Sequence, residues 1–252
     1  PPVFRRCAIS LSLGLALVLV PTLPALGRGT IERVEIRGLE ADGDEAIEQN
    51  VRLALTLNDD LGEVQGESRL EYLLLRAEKE ARQALEPFGY YSPTITVDAP
   101  RGEGDRIVVT VHVDKGEPVT VRDAHIAILG PGGQDRYLQR DLEAFRPRPG
   151  EPFHHETYDA NKDGITRRLA ERGYFDADFM ERRVRVTRAE KAADIELVWD
   201  SGFRYDMGPT TFHQDYFRPG LLDRLVHWEE GSYFHQGKLD RLRESLVKLD
   251  YF

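Results

Sequence analysis

Apolar and charged residues alternate through Thr30–Arg37 (TIERVEIR), which puts Val34 and Ile36 on one face and predicts a half-buried strand ended by Gly38. The period then changes. Ile47, Val51 and Leu55 recur at helical spacing in Asp44–Leu57, with Asp44 placed to cap the start. A polar loop, Asn58–Glu67, follows. Ser68 and Glu71 have the spacing of a capping box, and Leu70, Leu73, Leu74, Ala77, Ala81, Ala84 and Leu85 form the apolar stripe of a second helix. Thr94–Asp98 and Arg106–Val113 alternate again around the Gly-rich turn Pro100–Asp105. The predicted order is β-α-α-β-β.

The same order returns. Val119–Leu129 alternates with a one-residue slip near Asp123, read as a bulge. Asp135–Phe145 reads as a short helix, Arg146–Pro152 as a Pro-rich connector and His155–Arg172 as a long helix with Tyr158, Ile165 and Leu169 inward. Phe179–Arg188 and Asp194–Trp199 read as strands. A third unit opens with Phe203, Tyr205 and Met207 in alternation. It continues through a short helix at Pro219–Trp228 and another at Phe234–Leu249, where Leu239, Leu242, Leu246 and Leu249 are spaced 3-4-3.

One recurring stretch orders the chain. Leu85–Ile95 (LEPFGYYSPTI), Leu169–Phe179 (LAERGYFDADF) and Leu246–Phe252 (LVKLDYF) each end an amphipathic run, then place Gly89, Gly173 or Asp250 before two aromatics. Glycine ends a helix by taking the left-handed conformation at little cost. The aromatics are expected to anchor the next strand in the core. Gly89 and Gly173 are 84 positions apart, and Gly173 and Asp250 are 77 apart. That period is too long for a solenoid and suits small tandem domains. With boundaries at Lys115-Gly116 and Asp200-Ser201-Gly202, the expected units are 28–116, 117–202 and 203–252. The fold class is α+β: tandem units with a three-stranded mixed sheet packed against two helices, the third copy cut before its hairpin.

Residues 1–27 stand apart. Arg5-Arg6, the apolar run Ala8–Val20, the breakers Pro21 and Pro24, and Ala25-Leu26-Gly27 read as a secretory signal cleaved between Gly27 and Arg28. The run is too short to span a bilayer as a helix. The only cysteine, Cys7, precedes that run and leaves with the signal, so the exported chain is expected to have no disulfide or thiolate chemistry. The 252 residues are 40% hydrophobic and 31% charged, a globular profile, and the net charge of −10 argues against a nucleic-acid partner.

Candidate chemistry is sparse. Asp159, Asn161, Asp163 and Gly164 resemble half a calcium loop, but its twelfth position is Ala170 and the stretch lies in a helical pattern. His154 and His155 are adjacent, which does not match paired metal ligands on one helix face. Gly130–Gly133 lacks the lysine of a phosphate loop. No catalytic, cofactor-binding or metal-binding residue is assigned. The open edges of a small sheet carry more content, since an extended segment of another protein can add to them as a strand. Arg183, Val184, Arg185 and Val186, flanked by Arg182 and Arg188, form the candidate docking edge. Arginines there also serve to blunt an edge against aggregation.

The signal, the repeated β-α-α-β-β order and the motifs Ile31–Gly38 (IERVEIRG), Phe88–Tyr91, Gly116-Glu117-Pro118, Arg172–Ala177 (RGYFDA) and Tyr205–Pro209 (YDMGP) together resemble the POTRA domains of the BamA-like outer-membrane assembly superfamily, most of all its TamA-type members. The resemblance implies a periplasmic region attached to an outer-membrane β-barrel expected beyond Phe252, and a role in inserting or secreting outer-membrane proteins such as autotransporters. It implies a TamB-like inner-membrane-anchored partner, unfolded outer-membrane or autotransporter clients, and no cofactor or catalysis. Two other readings share the domain type: a two-partner secretion transporter, and a periplasmic scaffold without a barrel.

Overall fold

The computed structural model describes residues 28–249. The expected signal sequence with Gly27, and the closing Asp250–Phe252, lie outside the described residues; Arg28 is an exposed bend before the first strand. The first unit contains β1 (Gly29–Arg37), α1 (Glu45–Ala54), β2 (Val64–Gln65), α2 (Glu67–Leu85), β3 (Thr94–Asp98) and β4 (Arg106–Asp114), with sheet order β2-β1-β4-β3. The second contains β5 (Thr120–Leu129), α3 (Arg136–Ala144), α4 (His155–Glu171), β6 (Asp178–Thr187) and β7 (Ala192–Asp200), ordered β5-β7-β6. In both, the entry strand runs parallel to the last strand (β1 with β4, β5 with β7), and the hairpin pairs antiparallel. A parallel neighbour needs a long crossover, and the two helices supply it while covering one sheet face.

Each unit has its own core. Ile31, Val51, Leu70, Leu73, Leu85, Ile107 and Val109 are almost fully buried in the first. Leu138, Ile165, Leu169, Ile195, Leu197 and Trp199 are in the second, where Leu169 and Tyr174 join helix to sheet. Each such aliphatic side chain contributes about 1.5–3 kcal/mol on burial. The expected slip near Asp123 is a bulge at Arg122, between Val121↔Ala193 and Asp123↔Asp194. β1 has its counterpart at Glu32, between Ile31 and Arg33.

Several local expectations are corrected. The helix expected over Asp44–Leu57 stops at Ala54, and a 3₁₀ turn, Thr56–Asp60, follows. Leu55 and Leu57 are both buried, which a helix cannot arrange for residues two apart, and Leu55 is extended. Asp44 precedes α1 without a capping bond; its carboxylate goes to Lys115 Nζ at 2.5 Å. Ser68 is not a cap. β2 pairs antiparallel with β1 and holds the chain extended, so α2 starts directly after Gly66. β2 also adds a short fourth strand to the first sheet.

The third segment differs most from expectation. Among the described residues Phe203, Tyr205 and Met207 form no strand; only an isolated bridge, Asp206↔Tyr233, is present. Pro219–Trp228 holds a 3₁₀ turn at Leu222–Leu225 in place of a helix. α5 (Gln236–Val247) is formed, but it has no buried residue, and Leu239, Leu242, Leu246 and Leu249 are half-exposed. Among the described residues no sheet packs on that face.

Candidate functional site: sheet edges and the joints between units

Among the described residues β6 is an edge strand, paired only with β7. Val184 and Val186 pack toward the core, so Arg183 and Arg185, which alternate with them, face away. Arg183 bonds Glu196 across the pair at 2.8 Å, and Arg185 stands opposite Asp194. Met180 is unpaired in the register between Phe179 and Glu181 and is 60% exposed, so the strand carries a bulge as well as its arginines. All four residues of the candidate edge thus lie on one exposed strand, with bulge and charge as the two usual devices that blunt an edge. At the opposite edge, Arg122 grips Asp194 through two bonds and also meets Glu190. Those bonds hold the Asp194 carboxyl below its usual range.

The joints between units are built on one plan. Gly89 and Gly173 both have positive φ, +91° and +89°. The Gly89 carbonyl accepts from Val119 N–H, and the Gly173 carbonyl from Tyr205 N–H, each at 2.8 Å. Val119 and Tyr205 in turn accept from Phe153 and Phe234 N–H. A side chain at Gly89 would place Cβ 2.7 Å from the Phe153 carbonyl oxygen; at Gly173 it would meet Phe234 Cβ at 2.8 Å. Glycine is therefore required twice, for backbone angle and for close approach. The segment before each long helix also runs beside the entry strand: Val64-Gln65 in the first unit, Pro152 opposite Thr120 in the second, Tyr233 opposite Asp206 in the third.

Of the two aromatics after each glycine, the first packs on its own unit's core as expected and the second does not. Tyr90 packs on the first core, but Tyr91 is buried in the second. Tyr174 stays with the second core, while Phe175 is half-exposed and meets the rings of Tyr205 and Phe234. The second aromatic of the motif is handed forward to the next unit. Inspection of the sequence misses this, because the contact depends on where the following unit docks.

Both histidines of the adjacent pair are at the first joint. His154 packs edge-on against Phe88, and its buried Nδ1 has no partner among the described residues. His155 Nε2 is 2.5 Å from the Tyr91 hydroxyl. Burial pushes Tyr91 up to about 12 and His155 down from the ordinary imidazole value. At the second joint Asp135 caps α3 through Tyr137 N–H and binds Arg172 Nε at 2.6 Å, with Arg204 Nη1 3.7 Å away. Arg204 also donates to the Arg172 carbonyl. Asp159, Asn161, Asp163 and Gly164 lie within α4, where Lys162 pairs with Asp159. Among the described residues no group of three or more His, Cys, Asp or Glu is placed to hold a metal ion, and no helix is long and apolar enough to cross a membrane.

Residues 33–115 match the family model described as POTRA domain TamA domain 1, and residues 124–200 match a POTRA model described as surface antigen variable number repeat. Together the matches span more than half of the chain and coincide with the two sheets. Among solved structures, BamA POTRA3-5 of Haemophilus influenzae is 18% identical, with 92% of this chain and 90% of that one covered and a TM-score of 0.43. The N-terminal domain of Omp85 from Thermosynechococcus elongatus is 16% identical, covering 89% and 87%, with a TM-score of 0.34. CdiB from Escherichia coli is 10% identical, covering 72% of this chain and 29% of that one, with a TM-score of 0.29. The two family matches, on two sheets of the same parallel-plus-hairpin plan, make this chain a member of the POTRA family, with a first domain of the TamA type.

Proposed function

We propose that the chain is the periplasmic region of an outer-membrane protein that assists insertion or secretion of outer-membrane β-barrel proteins such as autotransporters. It acts by docking, without chemistry. A TamB-like inner-membrane-anchored protein and unfolded clients are its partners, and a β-barrel beyond Phe252 anchors it. Residues 1–27 are its signal, removed between Gly27 and Arg28. Residues 28–116, 117–202 and 203–252 are its successive domains. The observation that carries this reading is the TamA-type match over residues 33–115. The β6 edge, paired on one side among the described residues, adds support, because backbone hydrogen bonds accept many client sequences with mild selectivity.

The β6 edge is one docking surface in this reading, with Arg183 and Arg185 drawing acidic-flanked segments toward Val184 and Val186. The test uses the natural full-length protein in its own cells. Deleting 28–202 is expected to abolish surface display of an autotransporter client and co-isolation of the TamB-like partner; unchanged display would overturn the function. Reversing both charges, R183E with R185E, is expected to lower client cross-linking to β6 at least tenfold. Unchanged cross-linking would remove β6 from the proposal and leave the function standing.

A further inference from the structure

The two joints share a backbone plan and differ in chemistry at two matching positions. Arg172, just before Gly173, stands where the first joint has Phe88, and Arg204, just before Tyr205, stands where it has Pro118. Phe88 packs against the His154 ring, and Pro118 lies beside Gly89. The first joint thus closes on apolar groups at both places. The second closes on two guanidiniums, although the main-chain bonds from Gly173 to Tyr205 and from Tyr205 to Phe234 need neither. Withdrawing a cation from water is costly unless partners compensate it. Two of them in one joint therefore require an account beyond holding the joint closed.

Partners within the chain do not balance them. Arg172 is 9% exposed, yet of the five N–H groups on its guanidinium only Nε–H has a hydrogen-bond partner among the described residues, Asp135 Oδ2 at 2.6 Å. Arg204 Nη1 lies 3.7 Å from that same oxygen, so one carboxylate serves two cations. The neighbouring acids are committed elsewhere: Glu171 pairs with Arg167 and Arg168, and Asp176 accepts from the Tyr205 hydroxyl. The surplus positive charge reaches His235, whose pKa is lowered by burial first and then by Arg172 and Arg204. Among the described residues the buried side-chain atoms without a partner are Asp44 Oδ2 and His154 Nδ1, so the open Nη groups of Arg172 touch solvent. Rings hold both guanidiniums in place: Arg172 lies over Tyr137 and Arg204 over Tyr233, each at 4.3 Å. Stacking uses the guanidinium face and leaves the N–H groups in its plane available.

We propose that Arg172 and Arg204 form a binding site for one oxyanion, a carboxylate or phosphate group, at the joint between the second unit and the third segment. The Nη1 and Nη2 groups of Arg172 take two of its oxygens, the bidentate arrangement that a guanidinium fork favours. Arg204 supplies the second charge, and the anion completes the balance that Asp135 leaves one short. Arg172 follows the last turn of α4 and Arg204 precedes the Tyr205 that docks on Gly173, so an anion held by both ties the third segment to the second unit. The first joint, with Phe88 and Pro118 in these places, binds no such group.

An NMR titration of the whole chain tests it by following the side-chain Nε–H resonances of Arg172 and Arg204. The probes are inorganic phosphate, acetate, and a short peptide with either a free or an amidated C-terminus, at an ionic strength held constant with chloride. Phosphate or the free carboxylates are expected to give saturable shifts at both arginines, and chloride and the amidated peptide none. Saturation by the carboxylates alone makes the ligand a carboxylate, and saturation by phosphate alone makes it a phosphate; either supports the site. Arg204→Gln is expected to weaken binding at least tenfold, and so is Arg172→Lys, which keeps the charge and loses the fork. Arg140→Gln, at an exposed position of α3, should leave it unchanged. Arg204→Gln spares the Asp135–Arg172 pair, so its result stands even where Arg172→Lys fails to fold. Shifts that never saturate, or that chloride and the amidated peptide match, would mean that water alone completes the fork and would overturn the proposal. Equal affinity in Arg204→Gln and the natural chain would overturn it as well.

Discussion

Glycine at 89 and 173 is set by two independent demands, and the demands predict different outcomes from the glycine at 164. Gly89→Ala places Cβ against the Phe153 carbonyl at a φ that alanine disfavours. We expect a loss of about 1–3 kcal/mol and a lower thermal midpoint. Gly173→Ala should behave alike. Gly164 lies inside α4, and a Cβ there meets nothing within 4 Å. Gly164→Ala is expected to stabilise by about 0.5–1 kcal/mol. Thermal unfolding of the three variants side by side checks the contrast; equal effects would refute the roles assigned here. Gly164 was also the residue that lent the calcium-loop likeness, and replacing it separates the readings again, because the helix predicts a gain.

At the level of elements, legibility follows how much of the information is local. α2 and α4 could be read from their stripes, because Leu70, Leu73, Ala77 and Ala81, or Tyr158, Ile165 and Leu169, face the core by helical period alone. The end of α1 could not, since Leu55 and Leu57 are buried by a turn that period analysis does not encode. The third segment failed for a different reason: Phe203–Met207 becomes a strand only if a partner strand lies beside it. The candidate edge was legible at β6, where arginines are conspicuous. α3 illustrates how an element can depend on a charge from elsewhere. Asp135 caps it and also holds Arg172, with side chains 3% and 10% exposed and Arg204 close by. Asp135→Ala removes the cap and strands a cation, for which we expect about 3–5 kcal/mol of destabilisation. Asp135→Asn keeps the cap acceptor and should cost less. Denaturant unfolding distinguishes them, and equal losses would mean that the buried charge pair contributes nothing.

Across the whole molecule, the units are strung by joints that repeat in backbone and differ in side chains. The second joint is closed by Arg204 on Asp135 and by the Phe175, Tyr205 and Phe234 rings. The first is closed by Tyr91 on His155, and it carries a titratable group where the second has Gln236 in the matching place. His155 is half-buried among Phe153, Tyr91 and His154, with Glu86 and Asp159 as the nearby acids. Burial depresses its pKa despite those acids, and Tyr91, pushed up to about 12, stays neutral and provides no counter-charge. For a histidine with a lowered folded pKa, the neutral form is the one the fold favours. Its contribution is complete above the ordinary value of about 6.5 and is lost as pH falls through the lower folded value. The first joint is therefore expected to loosen on acidification from pH 7 toward 5, while each sheet keeps its core. Spin labels on the two units should show a broader distance distribution at pH 5 than at pH 7. His155→Gln, which keeps a hydrogen-bonding group and removes the titration, should show the same distribution at both. Because His235 is also depressed, by burial first and then by Arg172 and Arg204, a label pair across the second joint is the necessary control. If His155→Gln broadened with acid as much as the natural chain, the pH response would belong to another group and the joint would not be the sensor.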